Sequence, residues 1–351
     1  MTASNKSFSI GIGVGSKSGN QNWLEVFFPA PVSNVSQSLI DAVFQFSDQE
    51  EQTTTVELNA ETISKVSAAF DGLEADEQVQ TLKNQLDSVK DSKQPAVLVG
   101  LEHTSSPQTV PDIYLRLHLL SHRHVQPHGI NLDGIFGKLP NIAWTNIGAI
   151  QLDELPDVLF QARMKGEWVQ VLSVDKFPKM TDYVVPGGVR IADTARVRLG
   201  AYVGEGTTVM HEGFINFNAG TVGPNMIEGR ISAGVMVESG SDLGGGCSTM
   251  GTLSGGNKTV LSVGKDCLIG ANAGLGIPLG DKCTIEAGLY VTAASKVSVL
   301  DADGKVTATI KAMDLSGKDN LLFRRNSQTG AIECLTNKSA IELNTELHAN
   351  N

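Results

Sequence analysis

The most constraining feature of this 351-residue chain is an aliphatic residue that returns at every sixth position over a long central segment. Seventeen of the eighteen positions in this row are Val, Ile or Leu, and the remaining one is Thr221. The row comprises Val185, Ile191, Val197, Val203, Val209, Ile215, Thr221 and Ile227, then Ile231, Val237 and Leu243, then Val263, Ile269 and Leu275, and finally Leu279, Ile285, Val291 and Val297. Helices repeat apolar residues every 3.6 positions and strands every second one, so a period of six predicts a solenoid of short parallel strands.

This period is typical of a left-handed parallel β-helix of the hexapeptide type, in which three hexads form one triangular coil. The segment from Val185 to Lys296 accommodates about six such coils. Several glycines directly follow row residues, and we expect four of them to turn corners with positive φ: Gly204, Gly264, Gly270 and Gly280. The glycine-rich run Gly244–Asn257 is expected to leave the coil as a binding loop.

The remaining sequence divides around this solenoid into four predicted parts. They are an N-terminal α/β domain over 1–110, a helical connector over 111–183, the left-handed β-helix over 184–298 and a C-terminal capping segment over 299–351. The predicted elements are strands at Phe8–Val14, Ala96–Gly100 and Val306–Ala312, a helical stretch at Ala60–Leu86, and amphipathic helices at Asp112–His122 and Leu155–Lys165. We expect the tail to cover the open end of the solenoid, where a strand edge would otherwise be unpaired.

Composition limits the partners and the compartment. The formal charge of −11 comes without a basic stripe, so we expect no nucleic-acid partner. No apolar run is as long as a membrane span, and the first residues lack the apolar core of a signal peptide, so we expect no membrane association. The four cysteines show no C-x-x-C spacing, which favours a reduced, cytoplasmic protein.

Two motifs outside the solenoid suggest ligands but have simpler interpretations. The run GIGVGSKSG at 11–19 faintly resembles a phosphate loop, but its Gly-Lys-Ser register is wrong, and a strand followed by a flexible turn explains it better. Four histidines crowd together as if for zinc, yet structural or solvent-facing roles are favoured: His118, His122, His124 and His128. The coils contain only His211, so a solenoid of the γ-carbonic anhydrase type is a weak alternative.

Polar side chains interrupt the coils in two segments, 210–220 and 226–234, and each places a Glu beside a Gly. In the second segment Glu228 is followed by Gly229 and Arg230. A carboxylate and a guanidinium at this spacing could flank a cleft, or they could form an exposed ion pair at a corner. The pattern alone leaves both interpretations open.

Three segments are more specific than the repeat. They are VMHEGFINFNAGTVGPNMIEGRISAGVMVESGSDLGGGCSTMGTLSGG, LIGANAGLGIPLGDKCTIEAGLYVTA and LLFRRNS. Together they closely resemble the tetrahydrodipicolinate N-succinyltransferases, specifically the longer bacterial form. The resemblance covers about residues 184–351 and extends to YLRLHLLSHR at 114–123. Hexapeptide repeats alone would also fit sugar O-acetyltransferases, serine acetyltransferases and nucleotide-sugar enzymes.

This resemblance implies a reaction of lysine and diaminopimelate biosynthesis, in which succinyl-CoA succinylates the amine of ring-opened tetrahydrodipicolinate. The substrates are therefore small molecules. The family's motif gives the catalytic role to the Glu of EGR, which is Glu228 here. Whether Glu228 forms an acyl anhydride or acts as a base stays open, and His211 is the rival base.

The resemblance also implies a succinyl-CoA site along the solenoid and tail. Arg230 would contact the acyl donor, with Gly245 and Ser248 close to it. The pantetheine groove would be lined by Ala271, Glu286, Ala287 and Ala294, and the phosphates would be received by Lys311, Arg324, Arg325, Asn326 and Ser327. At Ala294 the family has glycine, so the side chain would crowd that contact. Paired arginines suit phosphate by charge and geometry, although they could equally be a solvated surface pair.

The family implies a homotrimer with active sites between neighbouring prisms. Some members bind Mg²⁺ on the trimer axis through a Glu that matches Glu212 and an Asp at the position of Ala195. Without that Asp, Glu212 is a poor octahedral site, although three copies around an axis could hold a hydrated ion. Two alternatives stay open: another hexapeptide-repeat acyl-CoA transferase with a sugar or amino-acid acceptor, and a non-catalytic solenoid scaffold.

Overall fold

The computed structural model describes residues 7–46, 52–74, 76–251 and 260–336. The chain forms two compact units. The first unit comprises the residues up to Pro178 together with Asp182–Val184. The second comprises Lys179–Thr181 and the residues from Val185 onward. The four-part division stays a prediction. Residues 337–351 of the predicted cap and 252–259 of the glycine-rich run lie outside the described residues.

An antiparallel sheet forms the centre of the first unit. Its strands are Phe8–Lys17, Trp23–Phe27, Val32–Ser33, Thr53–Leu58 and Ala96–Glu102. Helices Gln37–Phe44, Ala60–Asp71, Glu77–Ser88 and Val110–Ser121 accompany them. The helical stretch predicted at 60–86 divides in two because Asn59 and Asp76 each cap a helix N-terminus with a side-chain oxygen.

The run GIGVGSK lies within the strand Phe8–Lys17, as the strand interpretation predicts. Its alternating glycines share one face of the strand and serve close packing. A Cβ at Gly11 would lie 2.8 Å from both Leu115 and Phe28, and one at Gly15 would lie 2.0 Å from the Glu25 carbonyl oxygen. The glycines therefore make room for neighbouring backbone and side chains.

The predicted helix is confirmed as Val110–Ser121. The prediction that it is amphipathic is wrong, because every residue from Pro111 to Ser121 is buried. Its ion pair is formed inside the protein. The Arg116 guanidinium donates to the Asp112 carboxylate at 2.8 Å and to the Ser105 hydroxyl at 2.9 Å. Buried ions are retained when partners satisfy them in this way.

The histidines on and after this helix have structural contacts. His118 is fully buried; its Nδ1 lies 2.7 Å from the Tyr114 carbonyl, and its Nε2 accepts the Phe28 N–H at 3.2 Å. The rings of His118, His122 and His124 follow one another at 6.1 and 5.9 Å. Within the described residues, no three His, Cys, Asp or Glu side chains are grouped to hold a metal ion.

Residues 111–183, expected to be helical, also contain a three-stranded antiparallel sheet. Its strands are Ile142–Thr145, Gly148–Gln151 and Val171–Asp175, and helices Ile135–Lys138 and Leu155–Met164 lie in the same segment. The hairpin closes at Asn146 and Ile147, where Thr145 Oγ1 donates to the Gly148 carbonyl at 2.7 Å. No helix in the described ranges is long and apolar enough to cross a membrane.

The second unit is the predicted solenoid, with three faces of two- or three-residue parallel strands. The first face holds Arg190–Ile191, Thr208–Val209, Met226–Ile227, Asp242–Leu243, Leu268–Ile269 and Thr284–Ile285. The second face holds Phe214–Ile215, Arg230–Ile231, Ser248–Thr249, Gly274–Gly276 and Tyr290–Thr292. The third face holds Tyr202–Val203, Gly220–Thr221, Met236–Val237 and Ser262–Val263.

Stacked row residues fill the interior of the prism. From Val197 to Val297 every residue of the predicted row is buried. The exception is at the start, where Val185 is 75% exposed and Ile191 is half-buried, so the row begins one hexad later than predicted. Thr221 fits because its hydroxyl pairs with that of Thr207 at 2.9 Å.

The glycines after row residues have a different role from the predicted one. Positive φ falls on other corner residues, such as Gly206, Gly240, Gly246 and Gly288. Gly204, Gly264, Gly270 and Gly280 instead lie against the adjacent coil: a Cβ at Gly270 would be 2.4 Å from the Ala287 nitrogen, and one at Gly204 would be 2.0 Å from the Val222 oxygen. Coil spacing, rather than dihedral freedom, requires glycine there.

The prediction that the whole run Gly244–Asn257 leaves the coil is also wrong. Ser248–Thr249 pairs in parallel with strands of the coils on either side, and Cys247 is buried. Gly244–Thr249 therefore forms an ordinary corner and strand.

The tail covers the last coil. Strand Leu321–Arg325 pairs with Thr284–Ile285 and places Phe323 over the interior row. Strand Ile332–Thr336 joins Leu321–Arg325 to Lys296–Leu300, which also pairs with Val306–Lys311. The otherwise open edge is thereby paired.

The buried His118 makes the stability of the first unit pH-dependent, because burial lowers its pKa to about 3. Between that value and the unfolded pKa of about 6.5, the unfolded chain binds the extra proton, so stability falls as pH falls through this window. We expect urea unfolding to show a slope of about 1.4 kcal/mol per pH unit from this group. In His118→Gln the slope should decrease by that amount; an unchanged slope would contradict the assignment.

Candidate active site

Glu228 lies at a corner that is shorter than its neighbours. Between the first and second faces, row residues are six apart in the other coils, but Ile227 and Ile231 are only four apart. Gly229 makes the tight corner feasible, because a Cβ there would lie 2.3 Å from the Cys247 sulfur. Glu228 is half-buried at this indentation in the edge of the prism.

The surroundings of Glu228 are acidic on one side and glycine-rich on the other. Burial and the Glu228 carboxylate together raise the pKa of Asp242. On the next coil, a Cβ added to Gly245 would lie 3.5 Å from Glu228 Oε2, so the backbone of Gly245 is close to the carboxylate. The Glu228 carbonyl accepts the Gly246 N–H at 3.2 Å, which joins the two corners.

Arg230 and Ser248, which were each predicted to approach the acyl donor, are brought together on the second face. The guanidinium donates to the buried Ser248 hydroxyl through two nitrogens at 2.9 and 3.1 Å. Arg230 itself is exposed and, within the described chain, lies near no carboxylate at ion-pair distance. The exposed ion-pair interpretation of Glu228 and Arg230 therefore has no support in the geometry.

Four predicted residues continue the Glu228 edge along successive coils: Gly245, Ala271, Glu286 and Ala287. The carbonyls of Gly245 and Ala271 accept N–H groups from Asn272 and Gly288 at 2.9 and 2.8 Å. The N–H groups of Gly245, Ala271 and Ala287 have no acceptor in the described part of the chain. The edge therefore presents a row of backbone donors, repeated with the coil spacing of about 4.8 Å.

The tail arginines meet this edge at its far end. The Arg325 N–H donates to Glu286 Oε2 at 2.6 Å. Arg324 forms an ion pair with Glu333 at 2.9 Å, and Asn326 donates to the same carboxylate at 2.7 Å. These two bonds lower the pKa of Glu333. Both arginines and Ser327 are exposed, so the segment is cationic but ordered by internal bonds.

Ala294 and Lys311 lie elsewhere, at the edge between the second and third faces. Lys311 is opposite Lys296 in the strand pair, and the segment after it bonds back through Met313 N–H to the Ala293 carbonyl at 3.1 Å. One prism therefore does not bring these two residues onto the Glu228 edge.

His211 and Glu212 are exposed one coil before Glu228, with His211 Nε2 3.9 Å from Glu212 Oε1. The neighbouring guanidinium of Arg196 donates to the Glu212 carbonyl at 2.8 Å. A single exposed carboxylate beside a guanidinium does not fit an Mg²⁺ site within one chain.

The structure adds a residue that the sequence analysis missed. Arg196 and Arg230 lie on either side of Phe214 on the second face, with the Arg196 guanidinium 5.9 Å from the ring centroid. Arg198 lies at the same distance from Phe214 and donates to Asn216 at 3.1 Å. The sequence contains a pattern that could have identified Arg196, since Arg196, Phe214 and Arg230 each directly precede a row residue. The face beside Glu228 is thus cationic in an acidic protein.

The coils and this polar edge define the class: residues 260–293 match the model described as hexapeptide repeat of succinyl-transferase. Residues 139–179 match the model of the tetrahydrodipicolinate N-succinyltransferase middle region. The chain belongs to the tetrahydrodipicolinate N-succinyltransferase family, since its similarity to members covers nearly its whole length.

Three similar proteins illustrate this relationship. The 2,3,4,5-tetrahydropyridine-2,6-dicarboxylate N-succinyltransferases of Pseudomonas paraeruginosa and Vibrio cholerae are 56% and 55% identical over 344 residues, covering 98% of this chain and 98% and 99% of theirs. A crystal structure of a putative 2,3,4,5-tetrahydropyridine-2-carboxylate N-succinyltransferase from Campylobacter jejuni has a TM-score of 0.84 at 33% identity, over 95% of this chain and 93% of that one.

The short corner gives a test of the edge geometry. Gly229→Ala places a methyl group against Cys247 and should lower the free energy of unfolding of the second unit by about 1–3 kcal/mol. Gly245→Ala is the matched control, because its methyl group would meet only Glu228 Oε2 at 3.5 Å; its effect should stay within about 0.5 kcal/mol. Urea unfolding followed by circular dichroism measures both, and equal losses would show that the corner relaxes.

Proposed function

We propose that this protein transfers the succinyl group of succinyl-CoA to the amine of ring-opened tetrahydrodipicolinate, a step of lysine and diaminopimelate biosynthesis. The observation that carries the proposal is the Glu228 corner, where a half-buried carboxylate lies beside the Gly245 backbone and two residues before Arg230, which donates to Ser248. The names of the similar enzymes, over almost the whole chain, support the same reaction.

The chemistry requires a base and a donor for an oxyanion. The acceptor amine is largely protonated near neutral pH and must lose a proton before it attacks the thioester carbon. The C–N bond forms, the C–S bond breaks, and the thiolate of coenzyme A leaves and is protonated. Glu228 either takes the amine proton or first accepts the succinyl group as an anhydride. We assign the N–H of Gly245, whose backbone lies beside the Glu228 carboxylate, to the negative oxygen.

The donor would lie along the Glu228 edge. The unused N–H groups of Gly245, Ala271 and Ala287 suit the amide carbonyls of an extended pantetheine arm. At the far end, Arg324, Arg325, Asn326 and Ser327 would receive its phosphates. Glu286 orders Arg325 through the N–H bond, so we assign Glu286 to holding the tail in place.

The acceptor is a diacid, and the second face offers cations for it. Arg196 and Arg230 lie two coils apart across Phe214, next to the Glu228 corner. We assign Arg196 to a carboxylate of the acceptor and Arg230 to the acyl donor. Guanidinium groups bind carboxylates with two parallel hydrogen bonds, which favours a diacid over a neutral amine.

A homotrimer would complete the site. Ala294 and Lys311 belong to a different prism edge from Glu228, so a groove between two neighbouring prisms is needed to align them with the donor. Cytoplasmic location is proposed with this biosynthetic role. Mg²⁺ at the axis through Glu212 stays a prediction that requires three chains, since the described residues of one chain offer too few ligands.

Replacing Glu228 tests the catalytic assignment. Glu228→Gln keeps the shape of the side chain and removes its basicity and nucleophilicity, so turnover should fall by about 10²–10⁴-fold. Thiol release from succinyl-CoA with 2-aminopimelate as acceptor measures it. Light scattering should show the same mass as the parent, about three times 37.2 kDa. Near-normal turnover, together with loss of activity in His211→Asn, would transfer the role to His211.

Replacing the arginine pair tests the phosphate site. Charge-assisted bonds contribute about 1.5–3 kcal/mol each, so Arg324→Ala with Arg325→Ala should raise the KM for succinyl-CoA about tenfold or more. The KM for the acceptor should hardly change, and donor affinity should weaken with salt. Lys305→Ala, an exposed cation of the same tail, is the control. Unchanged donor binding at low ionic strength would place the phosphates elsewhere.

A further inference from the structure

The outward-facing positions of the second face form a column that we call the outer file. Each member is paired in parallel with the next, so that neighbouring backbones are about 4.8 Å apart. Two members, Arg196 and Arg230, already have proposed roles in acyl transfer, whereas Gly274 and Tyr290 have none. In coil order the outer file consists of Arg196, Phe214, Arg230, Ser248, Gly274 and Tyr290.

The ring of Tyr290 lies across Gly274, its direct partner on the preceding coil. A Cβ added to Gly274 would lie 2.1, 2.0 and 2.3 Å from Cδ1, Cε1 and Cζ of Tyr290, so any side chain at position 274 would occupy the space of the ring. Gly274 faces outward and is nevertheless buried, because the ring covers it. Glycine at this position therefore holds the tyrosine ring close to the sheet.

The same contacts show which way the ring points. Cζ carries the hydroxyl and is the ring carbon farthest from the Tyr290 backbone, and it already lies over Gly274. The ring is therefore tilted along the outer file, toward the coil of Ser248. Tyr290 is still 47% exposed, so one face of the ring is free to contact a ligand.

Arg230 lies on the other side of Ser248. Its guanidinium donates to the Ser248 hydroxyl through Nε and Nη2, at 3.1 and 2.9 Å, which fixes the charged group above that coil. The surface around Ser248 thus has a cation on one side and an aromatic ring on the other. This arrangement suits an apolar chain that ends in a carboxylate.

This part of the outer file runs beside the backbone donors proposed to hold the acyl donor. The thioester oxygen is assigned to the N–H of Gly245, which places the start of the acyl chain next to Ser248. Each backbone donor precedes a member of the outer file by three residues; the pairs are Gly245 and Ser248, Ala271 and Gly274, and Ala287 and Tyr290.

The coil spacing sets the room for the acyl chain. Arg230 and Gly274 are two coils apart, which is roughly 10 Å between their backbones. The guanidinium and the Tyr290 ring both extend into this interval, so the space over Ser248 is shorter than that. With the carboxylate on Arg230 and the thioester at Gly245, each added methylene has to bulge over Ser248 against the ring.

We infer that Tyr290 is a specificity-determining residue of the acyl-donor site. Its ring, held over Gly274, limits the transferred group to a four-carbon dicarboxylic acyl chain and excludes longer ones. The inference rests on the proposed acyl transfer and adds the residue that selects the donor by its length.

Glutaryl-CoA, which is longer than succinyl-CoA by one methylene, tests the inference. One methylene changes discrimination by about 10–200-fold in a fitted pocket. Tyr290→Ala should therefore raise the ratio of kcat/KM for glutaryl-CoA to that for succinyl-CoA by about tenfold or more. Tyr290→Phe retains the ring and should leave this ratio unchanged. Calorimetric titration of each thioester without acceptor should show the same pattern in the two Kd values.

Two further variants separate selection by the ring from a general effect on the solenoid. Gly274→Ala retains the tyrosine but displaces its ring, so the ratio should rise as in Tyr290→Ala. Leu268→Ala is the matched control, because Leu268 is 46% exposed at an outward position of the first face; the ratio should not change.

The outcomes distinguish the inference from the proposed function. If Tyr290→Ala leaves the ratio unchanged, or lowers kcat/KM for both donors by the same factor, the ring does not select the donor, and the acyl-transfer proposal is unaffected. If the parent protein transfers neither acyl group, the proposed function is refuted, and selection by Tyr290 with it.

Discussion

Parallel strands stacked about 4.8 Å apart determine where every group on the solenoid lies. The coils repeat with this spacing only if the interior is filled by one aliphatic residue per hexad and if nothing intrudes between neighbouring corners. The first condition is met from Val197 to Val297, where the row is buried. The second is met by glycines such as Gly270, whose Cβ would collide with the backbone of the next coil. Side chains at equivalent positions then form straight files along the prism.

One departure from this regularity holds the carboxylate that we propose as the catalytic group. The corner between Ile227 and Ile231 is two residues shorter than the equivalent corners of the other coils, so the edge is indented there and Glu228 lies in the indentation. The corners that follow keep their length and continue the same edge as far as Glu286 and Arg325. A regular stack therefore offers the long track that we propose for an extended donor, and the short corner holds the group that we propose to react.

The sequence predicts the solenoid well because a six-residue period has only one structural explanation. It predicts less where one sequence pattern has two structural explanations. A glycine after a row residue can serve a left-handed corner or a close approach, and only coordinates distinguish them at Gly204 and Gly270. Polar residues in the helix Val110–Ser121 suggest a solvent-exposed face, yet Asp112 and Arg116 form an ion pair inside the protein. The sequence does not predict the sheet of Ile142–Thr145, Gly148–Gln151 and Val171–Asp175, because runs of four or five residues have too little periodicity.

The candidate site shows the same division. Glu228, Arg230 and Ser248 follow from motif resemblance; the structure bonds Arg230 to Ser248 and leaves Glu228 at the corner two residues before Arg230. Arg196 was overlooked because Arg230, its partner across Phe214, is two coils away in space and far along the sequence. The row of N–H donors at Gly245, Ala271 and Ala287 cannot be predicted from side chains, because the donors belong to the backbone. Alanine scanning would therefore not detect this part of the edge, because each of these positions is already glycine or alanine. Every substitution except proline retains the N–H, so a binding track made of main chain can keep its ligand while its sequence changes.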